Sequence, residues 1–393
     1  MLPLEGVTVV ALEQAVAAPF ATRQLADLGA RVIKIERPGV GDFARHYDQT
    51  VRGLSSHFVW LNRSKESLAL DLKHPDARKI MDGLLEKADV FIQNLAPGAA
   101  ERLHLGSNEL MKRYPRLIVC NVSGFGESGP YRDKKAYDLL IQCETGLVSI
   151  TGDEEVPAKA GISVADIAGG MYAYSSILTG LLQRERTGRG TVIPISLFDS
   201  LAEWMGYPMY YAGYGGSAPR RTGARHAAIA PYGPFAAGDG RKVFLAIQNE
   251  REWKRFCDEV LRWPELAQDP RYVSNSQRVE NQTSLQASID AVFKNQTADE
   301  VMDRLDRTQI ANAELKDLHA FIQHPQLRQR NRVHKVETPV GAIEALLPPG
   351  LPKGVDPVMN PIPEVGEHTE SILRELGFQS EAVDTWKKEQ VIS

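Results

Sequence analysis

The segment "VTVVALEQAVAAPFATRQLADLGARVIKIE" spans residues 7–36 and decides the fold that we expect. Residues 7–12 form a short β-branched run, and residues 31–36 form a second one. Between them, residues 19–29 have the apolar spacing of a helix and end on a glycine. A strand, a helix and a second strand in this order predict a βαβ unit with parallel strands.

The same alternation continues along the chain. The segment "ARKIMDGLLEKA" predicts an amphipathic helix, whereas "DVFIQN", "LIVCNVS" and "TVIPISLF" predict further strands. This pattern predicts an α/β fold with a Rossmann-like large domain and a mostly parallel sheet. A later strand, "KVFLAIQ", is followed by charged amphipathic helices and predicts a smaller α+β domain.

Changes in composition suggest where the domains end. Aromatic residues, glycines and arginines interrupt the alternation after residue 200, and seven prolines fall between residues 338 and 363, where we expect extended chain. The expected segments are a large domain (1–200), a linker (201–223), a small domain (224–335), a proline-rich return linker (336–363) and a C-terminal helix that completes the large domain (364–393).

Composition excludes several classes of protein. With 43% hydrophobic and 24% charged residues, the chain is typical of a globular protein, and its net charge of −4 does not favour nucleic acid as a partner. Three separated cysteines form no C-x-x-C pair, and the histidines lack the spacing of metal ligands. The N-terminus lacks a basic signal-peptide region, and no stretch reaches the about 18 apolar residues of a membrane span. We therefore expect a cytoplasmic protein without metal or membrane partners.

One motif resembles a nucleotide-binding loop. The segment "GFGESG" follows a predicted strand and matches G-x-G-x-x-G. It is followed by "PYRDKKAY", which does not begin a helix, so no helix N-terminus is available for a pyrophosphate. We interpret it as a turn-rich loop.

Asp166 precedes a long apolar helix in the segment "VADIAGGMYAYSSILTGLL". An aspartate at such a place commonly caps the helix or complements its dipole. Its neighbours Ala165, Ala168, Gly169 and Gly170 are small, as they are where a ligand approaches the backbone closely. The helix is apolar on nearly every face, which predicts that it is buried. Both a structural and a catalytic role for the carboxylate remain open at this point.

Several segments together resemble one enzyme family. They are "LEGVTVVALE", "QLADLGARVIKIERPGVGDFAR", "LNRSKESLALDLKHPDAR", "ADVFIQNLAPGAAERL", "VSGFGESGPY", "YDLLIQCETGLVSITG", "VADIAGG", "RERTGRGTVIPISLFD" and "GEHTESILRELGF". In this order they resemble the class III coenzyme A transferases (the CaiB/BaiF family, which includes formyl-CoA and carnitine CoA transferases) over essentially the whole chain.

The resemblance implies transfer of CoA from an acyl-CoA donor, such as succinyl-CoA, to a short carboxylic acid. The segments "FLAIQNEREWKRFC" and "PELAQDPRYVSN" look closest to members that act on dicarboxylates such as itaconate, mesaconate or citramalate. CoA is then a substrate, no cofactor is permanently bound, and the family forms interlocked homodimers.

The resemblance also implies roles for individual residues. Asp166 occupies the position of the catalytic nucleophile, and a carboxylate with an ordinary pKa near 3.9 is ionised at pH 7 and needs no general base. Ala15 and Val16 stand where formyl-CoA transferase has a Val-Gln pair, which leaves backbone N–H groups as the polar contacts there. The implied CoA contacts are Ala15, Val16, Arg37, Leu70, Asn94, Arg102, Lys135, Tyr137 and Asp138.

A second departure concerns the acceptor acid. The formyl-CoA branch has a run of glycines where this chain reads "TGARHAAIAPYG", with Gly223 the only glycine before Gly233. Gly223, Arg225 and His226 are therefore expected to serve the substrate. A cation such as Arg225 would suit the distal carboxylate of a dicarboxylic acid.

Two other functions compete with this interpretation. The α-methylacyl-CoA racemases of the same superfamily keep the aspartate, but they have a histidine where this chain has Tyr137. A phenol with an ordinary pKa of about 10 is a poor base at neutral pH, which favours the transferase. A non-catalytic acyl-CoA-binding protein is disfavoured because Asp166 and its small neighbours are retained.

Overall fold

The computed structural model describes residues 2–393, which fall into two compact units. The first unit consists of residues 2–145 together with Gly161–Gly206 and Gln326–Ser393. The second unit consists of Gly146–Ala160 and Tyr207–Pro325. The chain therefore leaves the first unit twice and returns to it both times.

A six-stranded parallel sheet forms the centre of the first unit, in the order β3-β2-β1-β4-β5-β6. The order reverses between β1 and β4, which is the topological switch point of a doubly wound sheet. This confirms the predicted Rossmann-like fold. The strands are β1 (Thr8–Leu12), β2 (Arg31–Glu36), β3 (Lys65–Ala69), β4 (Val90–Gln93), β5 (Ile118–Ser123) and β6 (Val192–Ser196).

Helices and a small hairpin complete the first unit. The helices are α1 (Ala17–Asp27), α2 (Ser56–Leu61), α3 (Ala77–Lys87), α4 (Ala99–Arg102), α5 (Ser107–Arg113), α6 (Asp138–Glu144), α8 (Val164–Thr187), α9 (Leu197–Trp204), α17 (Thr369–Glu375), α18 (Ser380–Lys388) and the 3₁₀ helix Phe43–His46. The antiparallel hairpin pairs β10 (Val333–Val336) with β11 (Ile343–Leu346).

The end of the chain packs into the core of the first unit. Trp386 is buried in this core, and its Nε1 donates a hydrogen bond of 3.1 Å to Asp76 Oδ2. The backbone N–H of Asp71 donates to the carbonyl of Val391 at 2.8 Å. This region contains two helices, α17 and α18, where the sequence predicted only one.

The small residues of α8 are explained by packing between helices. A Cβ on Gly170 would lie 2.6 Å from the carbonyl oxygen of Ala17, and a Cβ on Gly169 would lie 2.5 Å from Leu197 Cδ2. These glycines therefore let α8 approach α1 and α9, and they do not mark the approach of a ligand. The expectation that α8 is buried on nearly every face is wrong, because its fully buried residues are mainly small and Leu182 is 57% exposed.

The second unit has the smaller α+β architecture that the sequence predicts. Its sheet is antiparallel, in the order β7-β8-β9, and its core includes Trp253, Phe256 and Phe293. The strands are β7 (Tyr232–Ala236), β8 (Lys242–Ala246) and β9 (Ala311–Glu314). The helices of this unit and its borders are α7 (Leu147–Ile150), α10 (Gly206–Gly215), α11 (Glu250–Arg255), α12 (Asn275–Glu280), α13 (Gln282–Phe293), α14 (Ala298–Arg307), α15 (Leu318–Ile322), α16 (Pro325–Arg328), the π-helix Phe256–Leu261 and the 3₁₀ helix Pro264–Gln268.

One segment lies in a different unit from the one that the sequence suggests. Gly146–Ala160 was expected in the large domain but belongs to the second unit. Arg221 Nε donates to the carbonyl of Asp153 at 2.8 Å, and the N–H of Gly223 donates to the carbonyl of Gly152 at 2.8 Å. These long-range hydrogen bonds, which no local pattern encodes, attach the segment to the second unit.

Two segments expected to lack regular structure contain some. The expected linker, residues 201–223, includes the end of α9 and all of α10, a helix without buried side chains. The proline-rich stretch includes β11, because its strand falls in a gap between prolines.

A buried ionic cluster joins the first strands of the sheet to α1. Lys34 Nζ lies 2.8 Å from Asp42 Oδ2 and 3.4 Å from Glu13 Oε1, and Lys65 Nζ lies 2.7 Å from the same Glu13 oxygen. All of these side chains are shielded from solvent. Burial acts to raise the pKa of Glu13, but the charges of Lys65 and Lys34 outweigh it and hold the pKa below its usual value. Asp42 Oδ1 accepts the backbone N–H of Ala15 at 3.1 Å, so the cluster also fixes the loop after β1.

We expect Lys34→Met to lower the free energy of unfolding by about 3–5 kcal/mol, because it leaves buried carboxylates without their shared cation. Urea unfolding at neutral pH measures this change. Lys79→Met is the matched control, since Lys79 pairs with Asp76 at the surface and its side chain is 70% exposed. The control should lose at most about 1 kcal/mol. Equal losses in the two variants would contradict the role of the cluster.

Candidate active site

The residues implied to contact CoA gather at one edge of the parallel sheet. Ala15 follows β1, Arg37 follows β2, Leu70 follows β3 and Asn94 follows β4. The carboxyl ends of parallel strands meet at the same edge, where doubly wound folds bind their ligands. Helix α8 leads directly into β6, so its N-terminus, which carries Asp166, returns to this edge.

Asp138 acts as the cap of α8. Its Oδ1 accepts the backbone N–H of Ala165 at 2.8 Å and that of Asp166 at 3.3 Å, whereas Ser163, the residue at the N-cap position, makes no side-chain cap. Gln142 Nε2 donates to the other oxygen of Asp138 at 2.6 Å. The carboxylate of Asp166 accepts no hydrogen bond from the described residues. Asp166 is therefore in the first turn of α8 without serving as its cap.

Asp166 has an altered affinity for protons. Burial raises the pKa of Asp166 to about 7, and the negative charge of Asp138 adds to the effect. The expectation of an ordinary pKa is wrong for this side chain, because the sequence does not show the apolar surroundings or the second carboxylate. A group with this pKa is about half ionised at pH 7. A carboxylate with such a shift, without a structural partner, is typical of an active site.

The loop after β1 is held by hydrogen bonds within the fold. Ala15 has a φ of 63°, and its N–H is bound to Asp42. The N–H of Ala15 is therefore already used within the fold. Val16 is the N-cap residue of α1, has no side-chain cap and is 3% exposed.

Asn94 and Leu70 also have structural partners. Asn94 Nδ2 donates to the carbonyl of Gln14 at 2.8 Å, and its Oδ1 accepts the N–H of Gln14 at 2.9 Å. These two bonds connect β4 to the loop after β1 at the switch point. The side chain of Leu70 is buried in the core, and its N–H donates to the carbonyl of Glu36 at 2.9 Å.

Three exposed basic side chains at this edge are available for phosphate groups. Arg37, Arg102 and Lys135 are exposed, and no carboxylate among the described residues pairs with them. Tyr137 is 68% exposed and precedes α6. Unpaired guanidinium and ammonium groups are well suited to the phosphates of CoA.

The three residues expected to serve the substrate all lie in the second unit. Gly223 has a φ of 61°, which favours glycine. Arg225 is exposed, and its Nε donates to Gln286 Oε1 at 3.3 Å. The ring of His226 stacks on Tyr232 with centroids 5.2 Å apart.

Tyr47 is a candidate site residue that the sequence does not indicate. Burial raises the pKa of Tyr47 to about 12, with further contributions from the charges of Asp42, Asp166 and Tyr137. Its hydroxyl therefore lies within electrostatic range of Asp166. The surrounding segment, "FARHYDQT", matches no motif, so only the folded chain reveals this proximity.

Residues 2–393 contain no group of three or more His, Cys, Asp or Glu side chains placed to hold a metal ion. Over the same residues, no helix has both the length and the apolar character needed to cross a bilayer.

Comparison with known families identifies the relationship. The family model described as CoA-transferase family III matches residues 4–369. The chain belongs to CoA-transferase family III. It is 37% identical over 335 residues to the acetyl-CoA:oxalate CoA-transferase of Acetobacter aceti, covering 85% of this chain and 86% of that protein. It is 33% identical to the succinyl-CoA:glutarate CoA-transferase of Mus musculus, covering 96% of this chain and 87% of the mouse protein.

Solved structures of the family have the same fold. A CaiB/BaiF family protein from Brucella suis matches with a TM-score of 0.83 and 30% identity over 95% of this chain and 99% of that one. Rv3272 from Mycobacterium tuberculosis matches with a TM-score of 0.85 and 26% identity, again over 95% and 99%. The resemblance seen in the sequence is thus confirmed: this family III protein is a CoA-transferase, an enzyme whose substrates are CoA thioesters and carboxylates.

We expect Asp166 to titrate near pH 7 and Asp138→Asn to lower its pKa, because the substitution removes a negative charge. The asparagine Oδ1 still accepts the N–H groups that cap α8. Carboxyl carbon-13 NMR of aspartate-labelled protein measures the titration, and Asp166→Asn assigns the resonance. Asp133→Asn, at an exposed carboxylate of the preceding loop, should leave the pKa unchanged. A pKa near 4 for Asp166 in the unsubstituted protein would contradict the geometry.

Proposed function

We propose that this enzyme moves CoA from a donor such as succinyl-CoA to a short dicarboxylic acid, with Asp166 as the nucleophile. The observation that carries the proposal is the partly buried, unpartnered carboxylate of Asp166 at the ligand-binding edge of the sheet. Relatives named for oxalate, glutarate and citramalate support the substrate class. The proposed enzyme is a homodimer of interlocked chains, as the family resemblance implies.

The first half of the reaction uses the ionised form of Asp166. A carboxylate oxygen attacks the thioester carbon, the C–S bond breaks, and CoA leaves as the thiolate, which gives an aspartyl-acyl anhydride. The thiolate then attacks the aspartyl carbon. The C–O bond of the anhydride breaks, the donor acid leaves as its carboxylate, and an aspartyl-CoA thioester remains.

The acceptor acid reverses these steps. Its carboxylate attacks the aspartyl-CoA thioester, which releases the thiolate and forms a second anhydride. Attack of the thiolate on the acceptor carbonyl then gives the new acyl-CoA and restores the carboxylate of Asp166. Each bond formed is matched by one broken, so no oxidant or reductant is needed.

The partial burial of Asp166 suits this chemistry. Only the ionised form attacks, and a pKa near 7 keeps about half of the enzyme in that form at neutral pH. A carboxylate without hydrogen bonds from the protein loses no such bonds when it attacks. These two properties support a nucleophilic role over a structural one.

The CoA moiety is proposed to bind along the carboxyl edge of the sheet. Arg37, Arg102 and Lys135 supply positive charge for its phosphates, because none is neutralised by a neighbouring carboxylate of the described chain. Tyr137 and Asp138 are proposed to border the pantetheine arm beside Asp166. The backbone of this edge is formed in part by Ala15, Val16, Leu70 and Asn94. Most of their polar groups already make hydrogen bonds within the fold.

Intact-protein mass spectrometry tests the nucleophile. Incubation with succinyl-CoA alone should add the mass of CoA less one water to the enzyme, and Asp166→Ala should abolish both this adduct and CoA exchange with dicarboxylic acids. Asp133→Ala, at an exposed aspartate, is the control and should behave like the unsubstituted enzyme. CoA exchange that persists in Asp166→Ala would contradict the proposal. Deuterium uptake at the α-carbon of a 2-methylacyl-CoA, in the absence of CoA exchange, would also contradict it and would indicate a racemase.

We propose that Arg225 binds the distal carboxylate of the acceptor, together with His226 and the turn at Gly223. Arg225→Ala should then raise KM for a dicarboxylate about 10- to 100-fold, because a charge-assisted hydrogen bond is lost. KM for a monocarboxylate of equal length should not change. Arg271→Ala is the control, since Arg271 is an exposed arginine of the same unit and pairs with Asp269. Equal losses for the two acids would contradict the role.

A further inference from the structure

The proposed reaction requires a hydrogen-bond donor beside Asp166. When the carboxylate attacks the thioester, negative charge develops on the acyl oxygen, and a preorganised donor aimed at this oxygen lowers the barrier. Negative charge also develops on the acyl oxygen of the donor acid and of the acceptor acid in the steps that form and break the anhydrides, so these steps need a hydrogen-bond donor as well. The hydrogen-bond donor must belong to the carboxyl edge of the sheet, where Asp166 lies.

Several backbone donors near Asp166 are already used. The N–H groups of Ala165 and Asp166 donate to Asp138 Oδ1. The N–H of Ala15 donates to Asp42 Oδ1. These three N–H groups are therefore not available to the acyl oxygen, and side chains of the same region are the next candidate donors.

Tyr47 has a fixed ring and a free hydroxyl. It follows the 3₁₀ helix Phe43–His46, and its ring lies 5.7 Å from that of Phe43 and 5.4 Å from that of His57, between centroids. Tyr47 is 48% exposed, and its hydroxyl makes no hydrogen bond within the described residues. The hydroxyl is thus held in place and available to a ligand.

A second contact orients His57, the residue that packs against Tyr47. Asp48 accepts the backbone N–H groups of Thr50 and Ser56, which fixes the loop between the 3₁₀ helix and α2. His57 Nδ1 lies 3.6 Å from Asp48 Oδ2 and is shielded from solvent. His57, whose ring contacts Tyr47 edge to face, therefore directly follows an ordered loop.

A set of contacts connects the segment that carries Tyr47 to α8, the helix that carries Asp166. Asp42 accepts the N–H of Ala44 and so caps the 3₁₀ helix that ends before Tyr47. The same Asp42 oxygen accepts the N–H of Ala15, which lies two residues before α1, and the carbonyl of Ala17 at the start of α1 lies against Gly170 of α8. Burial, with smaller contributions from the charges of Asp42, Asp166 and Tyr137, raises the pKa of Tyr47 to about 12, so the phenol remains protonated near neutral pH and has a hydrogen to donate.

We propose that the hydroxyl of Tyr47 donates a hydrogen bond to the acyl oxygen while Asp166 attacks the thioester. This inference deepens the proposed function and rests on it. As the new C–O bond forms, the carbonyl π electrons move to the oxygen, and the Tyr47 O–H stabilises this charge without transferring its proton. When the intermediate collapses, the carbonyl re-forms, the C–S bond breaks and the thiolate departs. Tyr47 is therefore a catalytic residue that binds the transition state more strongly than the substrate.

Tyr47→Phe is the direct test, because phenylalanine preserves the ring contacts with Phe43 and His57 and removes only the hydroxyl. We expect kcat for CoA exchange to fall about 100- to 1,000-fold, as for the loss of one oxyanion donor, with KM for both substrates nearly unchanged. Tyr114→Phe is the matched control. Burial likewise raises the pKa of Tyr114, and its hydroxyl lies 3.5 Å from Asp82, so both tyrosines are partly buried beside a carboxylate.

A second variant separates a catalytic role from a structural one. Replacing Tyr47 with 3-fluorotyrosine keeps the ring and makes the phenol a stronger donor, so it should retain kcat where Tyr47→Phe loses it. A kcat for Tyr47→Phe within about threefold of the unsubstituted enzyme, which is less than 1 kcal/mol, would overturn the inference. An effect on KM alone, or an equal loss in the 3-fluorotyrosine variant, would overturn it as well.

The failure of the proposed function would look different. In that case the unsubstituted enzyme would show no CoA exchange, or Asp166→Ala would remain active, whatever the behaviour of the Tyr47 variants. If exchange depends on Asp166 and the kcat loss appears in Tyr137→Phe but not in Tyr47→Phe, the proposed function stands and the inference about Tyr47 is wrong.

Discussion

The geometry of the candidate site depends on the hydrogen bonds that Asp138 accepts from the first turn of α8. A helix N-terminus needs acceptors for its free N–H groups, and an aspartate in the first turn commonly supplies one. Here Asp138 supplies it from another helix, so the carboxylate of Asp166 is left without a structural role. The same arrangement places two carboxylates close together, and their repulsion adds to burial in favouring the protonated form of Asp166. One interaction thus both frees the reactive group and sets its charge.

The buried ionic cluster gives the surrounding backbone its rigidity. Lys34 brings Glu13 and Asp42 together in the interior, where a charge without a partner would be strongly unfavourable. Asp42 uses its other oxygen for the N–H groups of Ala15 and Ala44. The loop after β1 and the segment that carries Tyr47 are therefore held by a single carboxylate. Two segments that border the candidate site are thus fixed by charged side chains that are shielded from solvent.

The sequence predicts the elements of the fold whose local apolar pattern is clear. It does not predict the elements whose structure depends on partners far away in the sequence. β1 is a largely apolar run and β2 contains three β-branched apolar residues, so both were predictable. β3 begins with Lys65 and Glu66, whose ion-pair partners, Glu13 and Arg31, lie far away in the sequence. Asp166 was identified through a family resemblance. Its raised pKa was not predictable, because it comes mainly from burial in the folded chain and further from Asp138, which lies 28 residues away. Tyr47 had no sequence signal at all, since its proximity to Asp166 arises only from packing.

The roles of the small residues in α8 illustrate the same limit. Gly169 and Gly170 lie next to Asp166, and sequence reasoning connected them with a ligand. The structure shows that Leu197 and the carbonyl of Ala17 occupy the space where their side chains would be. A glycine beside a reactive group looks the same in the sequence whether a ligand or another helix approaches it. Only the three-dimensional neighbours distinguish the two cases.

The placement of the C-terminal helices in the first unit has a consequence for how the protein is made. The ribosome synthesises residues 2–145 before the second unit, whereas Trp386 and Val391, which pack into the same core, follow only after it. Most of the second unit, Tyr207–Pro325, is complete before then and has its own core. N-terminal regions commonly fold first during synthesis, but here the N-terminal region lacks part of its core until the second unit has been made.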